Sequence, residues 1–366
     1  GLGVPRVGIV NAMGMEQAPI LAAMHVTGSI RLDGYRFWLG TIGGVPVVEV
    51  RSGEKEYAAE LATTLMDLHF PIRAALLTGT AGARNPEVNV GDVVVSGAVV
   101  DKSSIHFHDR GFLSPYTGVE MEVTPRTDIQ GAIVGGQGAL GPTPKDASSY
   151  GAGPSATTKQ YIYVEDLVAP EDLVQAAVSH APALGTTPLA KATGDAKATG
   201  SIPARVLVGV IGSANQWTEP LADQEIQNAL YESDAGENEG MGFAYANAQL
   251  GVPWLVVRGI SDSPWYPNAY DGVLAADRAA AVGLAALEHL PAHLSRTPTP
   301  FSMLAPQSNA ARAGYIVASK VQISPSNLPT AVTFTNQQGA TVTEPWPFAA
   351  EYQFSAGTAT AQATGG

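Results

Sequence analysis

The sequence predicts an α/β fold: a mixed, mainly parallel central sheet flanked by helices, with a long mid-chain insertion and a β-leaning C-terminal tail. Three observations carry this. Unbroken apolar runs such as 74–77 (AALL) and 254–257 (WLVV) are too short for globular helices and read as strands buried on both faces. They alternate with stretches of helical periodicity, the pattern of parallel strands joined by helical crossovers. Several end in polar or glycine-rich segments, at the carboxyl edge where an α/β sheet places its ligands.

In order, 7–10 (VGIV) is the first strand, and the small-residue turn from Asn11 to Glu16 leads into a helix running through about His25. Residues 35–39 and 45–50 read as strands around a Gly43-Gly44 turn. In 57–68 the residues Tyr57, Leu61, Leu65 and Leu68 share one helical face, taken as the buried one. The strand 74–77 runs into a Thr78-Gly79-Thr80-Ala81-Gly82 turn, and Gly91-Asp92 opens the strand 93–95. From about 124 to 201 the pattern weakens into Gly, Pro, Ser, Thr and Ala, which reads as a long surface excursion holding one helix, 170–180. Core strands resume at 206–211, a helix is predicted over 223–231, and a small-residue helix over 240–250 precedes the strand 254–257. Pro253 suits a strand start, where no ladder donor is needed. An alanine-rich helix, 271–290, closes the domain, 1–296.

Thr297-Pro298-Thr299-Pro300 marks the boundary to a linker and extension, 297–366, with strands expected at 315–321 and 331–335. The extension is too poor in large apolar residues to fold alone and is expected to lie against the main domain, with Trp346 and Phe348 as its anchor.

A net charge of −13 argues against nucleic-acid binding, which needs a basic face. No apolar run reaches the ~20 residues of a membrane-spanning helix. The chain has no cysteine, so disulfides, thiolate catalysis and cysteine metal sites are excluded. This, with a start at Gly1 rather than Met, favours a secreted or periplasmic location. His106, His108 and Asp109 are too few for a metal site and read as loop residues, so no metal or cofactor is expected. Gly135-Gly136-Gln137-Gly138 follows no strand and is no dinucleotide fingerprint. The chemistry-bearing set is Glu237 and Glu239 before one helix, then Arg258, Ser261 and Asp262 at the end of the next strand. A strand-end ion pair beside a helix start explains these residues about as well as a catalytic site.

Four stretches, in order, resemble the nucleoside phosphorylase and nucleosidase superfamily: VGIVNAMGMEQAPI, LLTGTAGARNPEVNVGDVVVS, VGVIGSANQWT and ESDAGENEGMGFAYANAQLGVPWLVVRGISD. The 5'-methylthioadenosine/S-adenosylhomocysteine nucleosidases are the most similar branch, and the long middle and extra tail resemble the extended, bark-storage-protein-like members. The resemblance implies a nucleoside phosphorylase-like fold, a homodimer or higher oligomer, and a purine nucleoside as ligand. It implies that Asp262 protonates the leaving purine at N7 with Ser261 orienting it, and that Glu16 positions the water. Thr80, Glu237 and Arg258 would complete the water's shell, and Glu239 would take the ribose hydroxyls. Trp217 would stack on the base, and Asn238, Ala81 and Gly82 would line the substrate.

There are departures. Asn238 stands where the family has Met, Thr80 where it has Ser, and Asn215 where it has Asp near the base. Ser52-Gly53-Glu54-Lys55 matches the family's Gly-x-Gly-Lys element poorly, which puts methylthioadenosine in doubt as substrate. Leu77 stands where similar phosphorylases have a phosphate-holding Arg. Hydrolysis is therefore expected over phosphorolysis; the other readings are a phosphate-dependent phosphorylase and a non-catalytic storage or ligand-binding protein.

Overall fold

The computed structural model describes residues 3–85, 88–103, 120–122, 160–161, 166–188, 201–217, 233–263, 270–299, 303, 320–323, 331–335, 341–345 and 352–354. In chain order the elements are β1 (Arg6–Asn11), α1 (Gly14–Ala23), β2 (His25–Leu32), β3 (Tyr35–Ile42), β4 (Val45–Arg51), α2 (Glu56–His69), β5 (Ile72–Ala83) and β6 (Val93–Asp101). The short β7 (Glu120–Glu122), β8 (Gln160–Tyr161) and β9 (Asp166–Val168) precede α3 (Glu171–Ser179), β10 (Thr186–Pro188) and β11 (Ser201–Pro203). Then come β12 (Val206–Ser213), β13 (Ala235–Glu237), α4 (Gly240–Leu250), β14 (Trp254–Asp262) and α5 (Gly272–Glu288). The tail contributes β15 (Lys320–Ile323), β16 (Ala331–Thr335), β17 (Thr341–Pro345) and β18 (Tyr352–Phe354).

The central sheet runs β13-β12-β6-β14-β5-β1-β4-β3-β2, with β9 on β6. Pairings β1–β4, β1–β5, β5–β14, β6–β12 and β12–β13 are parallel, as the alternation of strands and helices implied. The sheet is nevertheless mixed: β2, β3 and β4 form an antiparallel meander, and β14 meets β6 antiparallel. Because β13 also pairs with β5, the strands β13, β12, β6, β14 and β5 close on themselves, which gathers several strand ends around one spot.

Four local expectations are corrected. The first helix ends at Ala23, and His25–Leu32 is a strand. Its residues are mostly exposed, and Gly28 interrupts the alternation of Val26, Ile30 and Leu32 with four polar side chains, so this edge strand, paired to β3, left only a weak hydrophobic signature. The face of α2 is also reversed. Tyr57, Leu61 and Leu68 are exposed, and Ala59, Ala62, Thr63 and Met66 are buried. Small side chains let α2 approach α4 closely, where a Cβ on Gly242 would fall 2.0 Å from the Glu56 carbonyl oxygen. Third, the Thr78–Gly82 segment is no turn: it lies inside β5. Fourth, Arg258, Ser261 and Asp262 lie within β14 rather than beyond it, with a register shift between Ile260 and Asp262.

Within the weakly patterned middle, β9 pairs with β6, and α3 buries Leu173, Val174, Ala176 and Ala177. At the Thr-Pro boundary, Thr297 O accepts from Glu171 N at 2.8 Å, and Thr299 donates to Ala169 O through both N (2.9 Å) and Oγ1 (2.7 Å). Further on, β15 pairs with β18 and with β7, and β16 and β17 form a hairpin. The predicted helix over 223–231, most of the predicted strand over 315–321, and the residues His106, His108, Asp109, Gly135 to Gly138, Trp346 and Phe348 lie outside the described residues.

Candidate functional site

Arg258 organises the site. It stands in the middle of β14, opposite Gly79 of β5, and is 0% exposed. Its Nη2 donates to Glu237 Oε2 and, at 3.0 Å, to Glu239 Oε2; its Nη1 lies 3.7 Å from Glu16 Oε1 and donates to Thr80 O at 3.3 Å. Three carboxylates from three elements thus converge on one guanidinium. Gly79 makes the convergence possible, since a Cβ there would lie 2.4 Å from Arg258 Nη1 and 2.5 Å from Glu16 Oε1.

Each carboxylate is held by backbone at an element end. Glu16, in the first turn of α1, accepts at Oε2 from Ala12 N (3.1 Å) and Met13 N (2.9 Å), and at Oε1 from Thr80 N (2.7 Å) and Thr80 Oγ1 (3.0 Å). An acidic side chain there also complements the helix N-terminus. Glu237 caps α4, accepting from Glu239 N at 2.9 Å and Gly240 N at 2.8 and 3.0 Å. Glu239 Oε1 accepts from Lys55 N at 2.9 Å. Burial, opposed first by the Arg258 guanidinium, pushes the Glu239 carboxyl up to about 7. For Arg258 itself burial works to lower the pKa, and the three carboxylates outweigh it, so the net direction is upward.

Asp262 lies at the far end of β14, beside Gly82. Its Oδ1 accepts from Ser261 Oγ at 2.6 Å, and Ser261 Oγ also lies 3.2 Å from the Ala81 carbonyl oxygen. Ala81 is buried and Gly82 partly so, between Asp262 and the Thr80 end of the acidic cluster. The sequence-predicted residues Glu16, Thr80, Ala81, Gly82, Glu237, Glu239, Arg258, Ser261 and Asp262 therefore sit together on the ends of β5, β13 and β14 and the starts of α1 and α4.

Asn238 and Trp217 take a different arrangement. With its amide oriented to suit its neighbours, Asn238 donates to Ala214 O (2.8 Å) and Glu237 O (3.2 Å) and accepts from Lys55 Nζ (3.1 Å) and Trp217 Nε1 (3.2 Å). The Lys55 ammonium lies 5.4 Å from the Trp217 ring centroid, and Trp217 is 73% exposed. Asn215 binds Glu56 at both amide atoms: Oδ1 accepts from Glu56 N at 2.8 Å and Nδ2 donates to Glu56 Oε2 at 2.9 Å.

Sequence reasoning passed over Asn11, fully buried, whose Nδ2 donates to Thr78 O (2.6 Å) and Oγ1 (2.9 Å) and so ties the end of β1 to β5. It also passed over Arg84 and Lys102, which are buried. The available signal was a cation at a strand end: Arg84 directly follows β5, and Lys102 follows the apolar run 98–100 with Asp101 between. Among the described residues no group of three His, Cys, Asp or Glu could hold a metal, and no helix is long and apolar enough to cross a membrane.

The profile of the Phosphorylase superfamily matches residues 6–288. The chain belongs to that superfamily. A curated relative from Shewanella sp. (strain MR-7), a 5'-methylthioadenosine/S-adenosylhomocysteine nucleosidase, is 38% identical over 94 residues, 26% of this chain and 40% of the relative. The relative of the same name from Shewanella oneidensis matches to the same extent. The chain thus spans about two fifths of the length of these curated relatives. Among solved structures, a nucleosidase of that type from Colwellia psychrerythraea 34H, in complex with adenine, matches with a TM-score of 0.55 at 24% identity, over 80% of this chain and 99% of the other. The futalosine hydrolase of Helicobacter pylori strain 26695 matches with a TM-score of 0.51 at 22% identity, over 78% and 99%. These likenesses carry the fold: a phosphorylase-superfamily α/β sheet.

Several buried carboxyls have unusual proton affinities, which sets how stability depends on pH. Burial raises Glu49 to about 8 and Glu56, Asp67 and Glu239 to about 7. Each binds its proton more tightly folded than unfolded, so its contribution is complete below the unfolded carboxyl range and is lost as pH rises through the folded value. Lys102, lowered to about 7 by burial and then by Arg84, acts above that window. The melting temperature should fall by several degrees between about pH 5 and pH 7. Thermal melts at constant ionic strength check this, and a flat or rising profile overturns it.

Proposed function

We propose that this protein hydrolyses the N-glycosidic bond of a purine nucleoside, releasing free base and sugar without phosphate. The observation that carries the reading is the division of charge along β14. Three carboxylates and one guanidinium cluster at Arg258, and a separate carboxyl, Asp262, stands beyond them with Ser261 donating to it. Two carboxyl positions with separate tasks are what acid- and base-assisted glycoside cleavage requires.

In this reading the bond between the anomeric carbon and N9 breaks with its electron pair passing to the purine. Asp262 delivers a proton to N7, and the sugar develops oxocarbenium character. The acidic cluster lowers the energy of that cation electrostatically. Water adds to the anomeric carbon and its proton passes to Glu16, whose four donors fix its orientation. Arg258 and Glu237 hold Glu16's side of the site in place. Glu239, which keeps lone pairs beyond those used by Lys55 N and Arg258, takes ribose hydroxyls.

The guanidinium that an incoming phosphate would need is already bound to carboxylates, and Leu77 is buried in β5. An anion entering beside Glu16, Glu237 and Glu239 meets repulsion, and water does not. Purine release should therefore proceed at an unchanged rate in phosphate-free buffer and yield the free sugar. A rate that scales with phosphate, with ribose 1-phosphate as product, selects phosphorolysis instead. Failure to release base from every purine nucleoside at high protein concentration selects the binding-protein reading.

A further inference from the structure

Three glycines stand side by side across three strands: Gly212 of β12 pairs with Gly236 of β13, and Gly236 pairs with Gly82 of β5. Laterally paired residues face the same side of a sheet, so this row is a strip of backbone without side chains. Two cationic side chains lie along it. A Cβ on Gly212 would fall 2.6 Å from Lys102 Cδ, and one on Gly236 would fall 2.5 Å from Arg84 Nε and 2.8 Å from its Cζ. At the last glycine the strip reaches the proposed acid: a Cβ on Gly82 would lie 2.9 Å from Arg84 Nη1 and 3.0 Å from Asp262 Oδ2. The row is filled by the Lys102 stem at its Gly212 end and by the Arg84 guanidinium at its Gly236 and Gly82 end, and it is the guanidinium that reaches the neighbourhood of Asp262.

Both cations are withdrawn from water, Arg84 at 9% and Lys102 at 2% exposure, and such burial is costly. Their surroundings offset part of the cost. Arg84 Nη1 donates to Ala83 O at 3.0 Å, Arg84 has further polar partners, and Glu237, Glu56 and Asp101 favour the charged form of Lys102. Burial and Arg84 together still bring Lys102 down to about 7. Guanidinium and ammonium groups only donate, so an atom brought against them must be an acceptor. The Asn215 amide, by contrast, is occupied by Glu56 at both ends.

We propose that Arg84, laid along the Gly212–Gly236–Gly82 row with Lys102 behind it, is a specificity-determining residue that presents donors to the departing base beside Asp262, and that the protein consequently prefers purines carrying an oxygen at C6 over those carrying an amine. This rests on the hydrolase reading, in which Asp262 faces the base. A carbonyl oxygen at C6 accepts from the guanidinium and gathers negative charge as the bond to the sugar breaks. An amine at C6 sets N–H against N–H, the kind of mismatch that discriminates strongly.

Inosine and adenosine differ at C6, oxygen against amine, and in the proton that inosine carries at N1. The full-length protein should show a kcat/KM for inosine at least about tenfold above that for adenosine, and Arg84→Met should cut this ratio roughly tenfold or more. Arg84→Gln, which keeps polarity and can accept from an amine, should shift the ratio the same way and serves if Arg84→Met does not fold. A wild-type preference for adenosine, or an equal loss for both nucleosides in the variants, overturns the proposal. Titration calorimetry with hypoxanthine and adenine separates it from the hydrolase reading. If neither nucleoside is cleaved but hypoxanthine binds at least about tenfold more tightly, with that margin lost in Arg84→Gln, the selectivity stands and hydrolysis falls. Equal binding of the two bases overturns the selectivity.

Discussion

Arg258→Met should abolish base release and destabilise the fold by about 3–5 kcal/mol, the range for removing one partner of a buried ion pair. Methionine replaces the aliphatic stem of arginine but stops short of the terminal nitrogens, so the loss is chiefly one of charge and hydrogen bonding. The guanidinium is 0% exposed and faces Glu16, Glu237 and Glu239; without it three buried carboxylates repel each other, and Lys102, which Glu237 helps to keep charged, cannot take its place between them. A second consequence separates this from a packing defect. With the guanidinium gone, the carboxylates take up protons, so the destabilisation should shrink as pH falls from about 8 to about 5. Arg258→Lys should lie between, because an ammonium is a point charge and cannot span the positions that Nη1 and Nη2 reach. Denaturant unfolding at the two pH values decides: a loss under about 1 kcal/mol, or one independent of pH, means the cluster is not held by Arg258.

Asp262→Asn should lower kcat by about 10²–10⁴-fold while purine binding changes only several-fold, the range for removal of a general acid. The amide has nearly the carboxyl's shape, and Ser261 Oγ can still donate to its oxygen, so the site's geometry should survive. The group matters only as the bond to the base breaks, which places the loss in turnover and not in affinity. Steady-state kinetics with a free-base titration alongside tests this. Wild-type kcat in the variant removes Asp262 from the mechanism, and a loss confined to KM makes it a binding residue.

Much of the site was legible because its parts are local in sequence. Glu237 and Glu239 flank one residue at a helix start, and Arg258, Ser261 and Asp262 occupy one strand end. Each carries its chemistry in its residue type. Glu16, at the first strand-to-helix turn, joined the set only through the resemblance to the nucleosidase superfamily. The Asn238–Lys55–Trp217 contacts were not legible, because they join residues from three separate segments.

Residue types and their periodicity alone determined the alternation of strands and helices, the mainly parallel sheet and the acidic groups at its edge. Apolar runs of strand length must be buried on both faces, and charges at their ends must meet the surface or one another. Tertiary structure decided the rest. Whether α2 buries leucines or alanines depends on how close α4 comes, and the sequence of α2 contains no such distance. The strand His25–Leu32 exists because β3 supplies its hydrogen bonds. The closure of β13 onto β5 puts Arg84 and Lys102 on one glycine row beside Asp262. Register between strands distant in sequence is set by backbone pairing, and until that pairing is made a glycine gives no sign of what will lie across it.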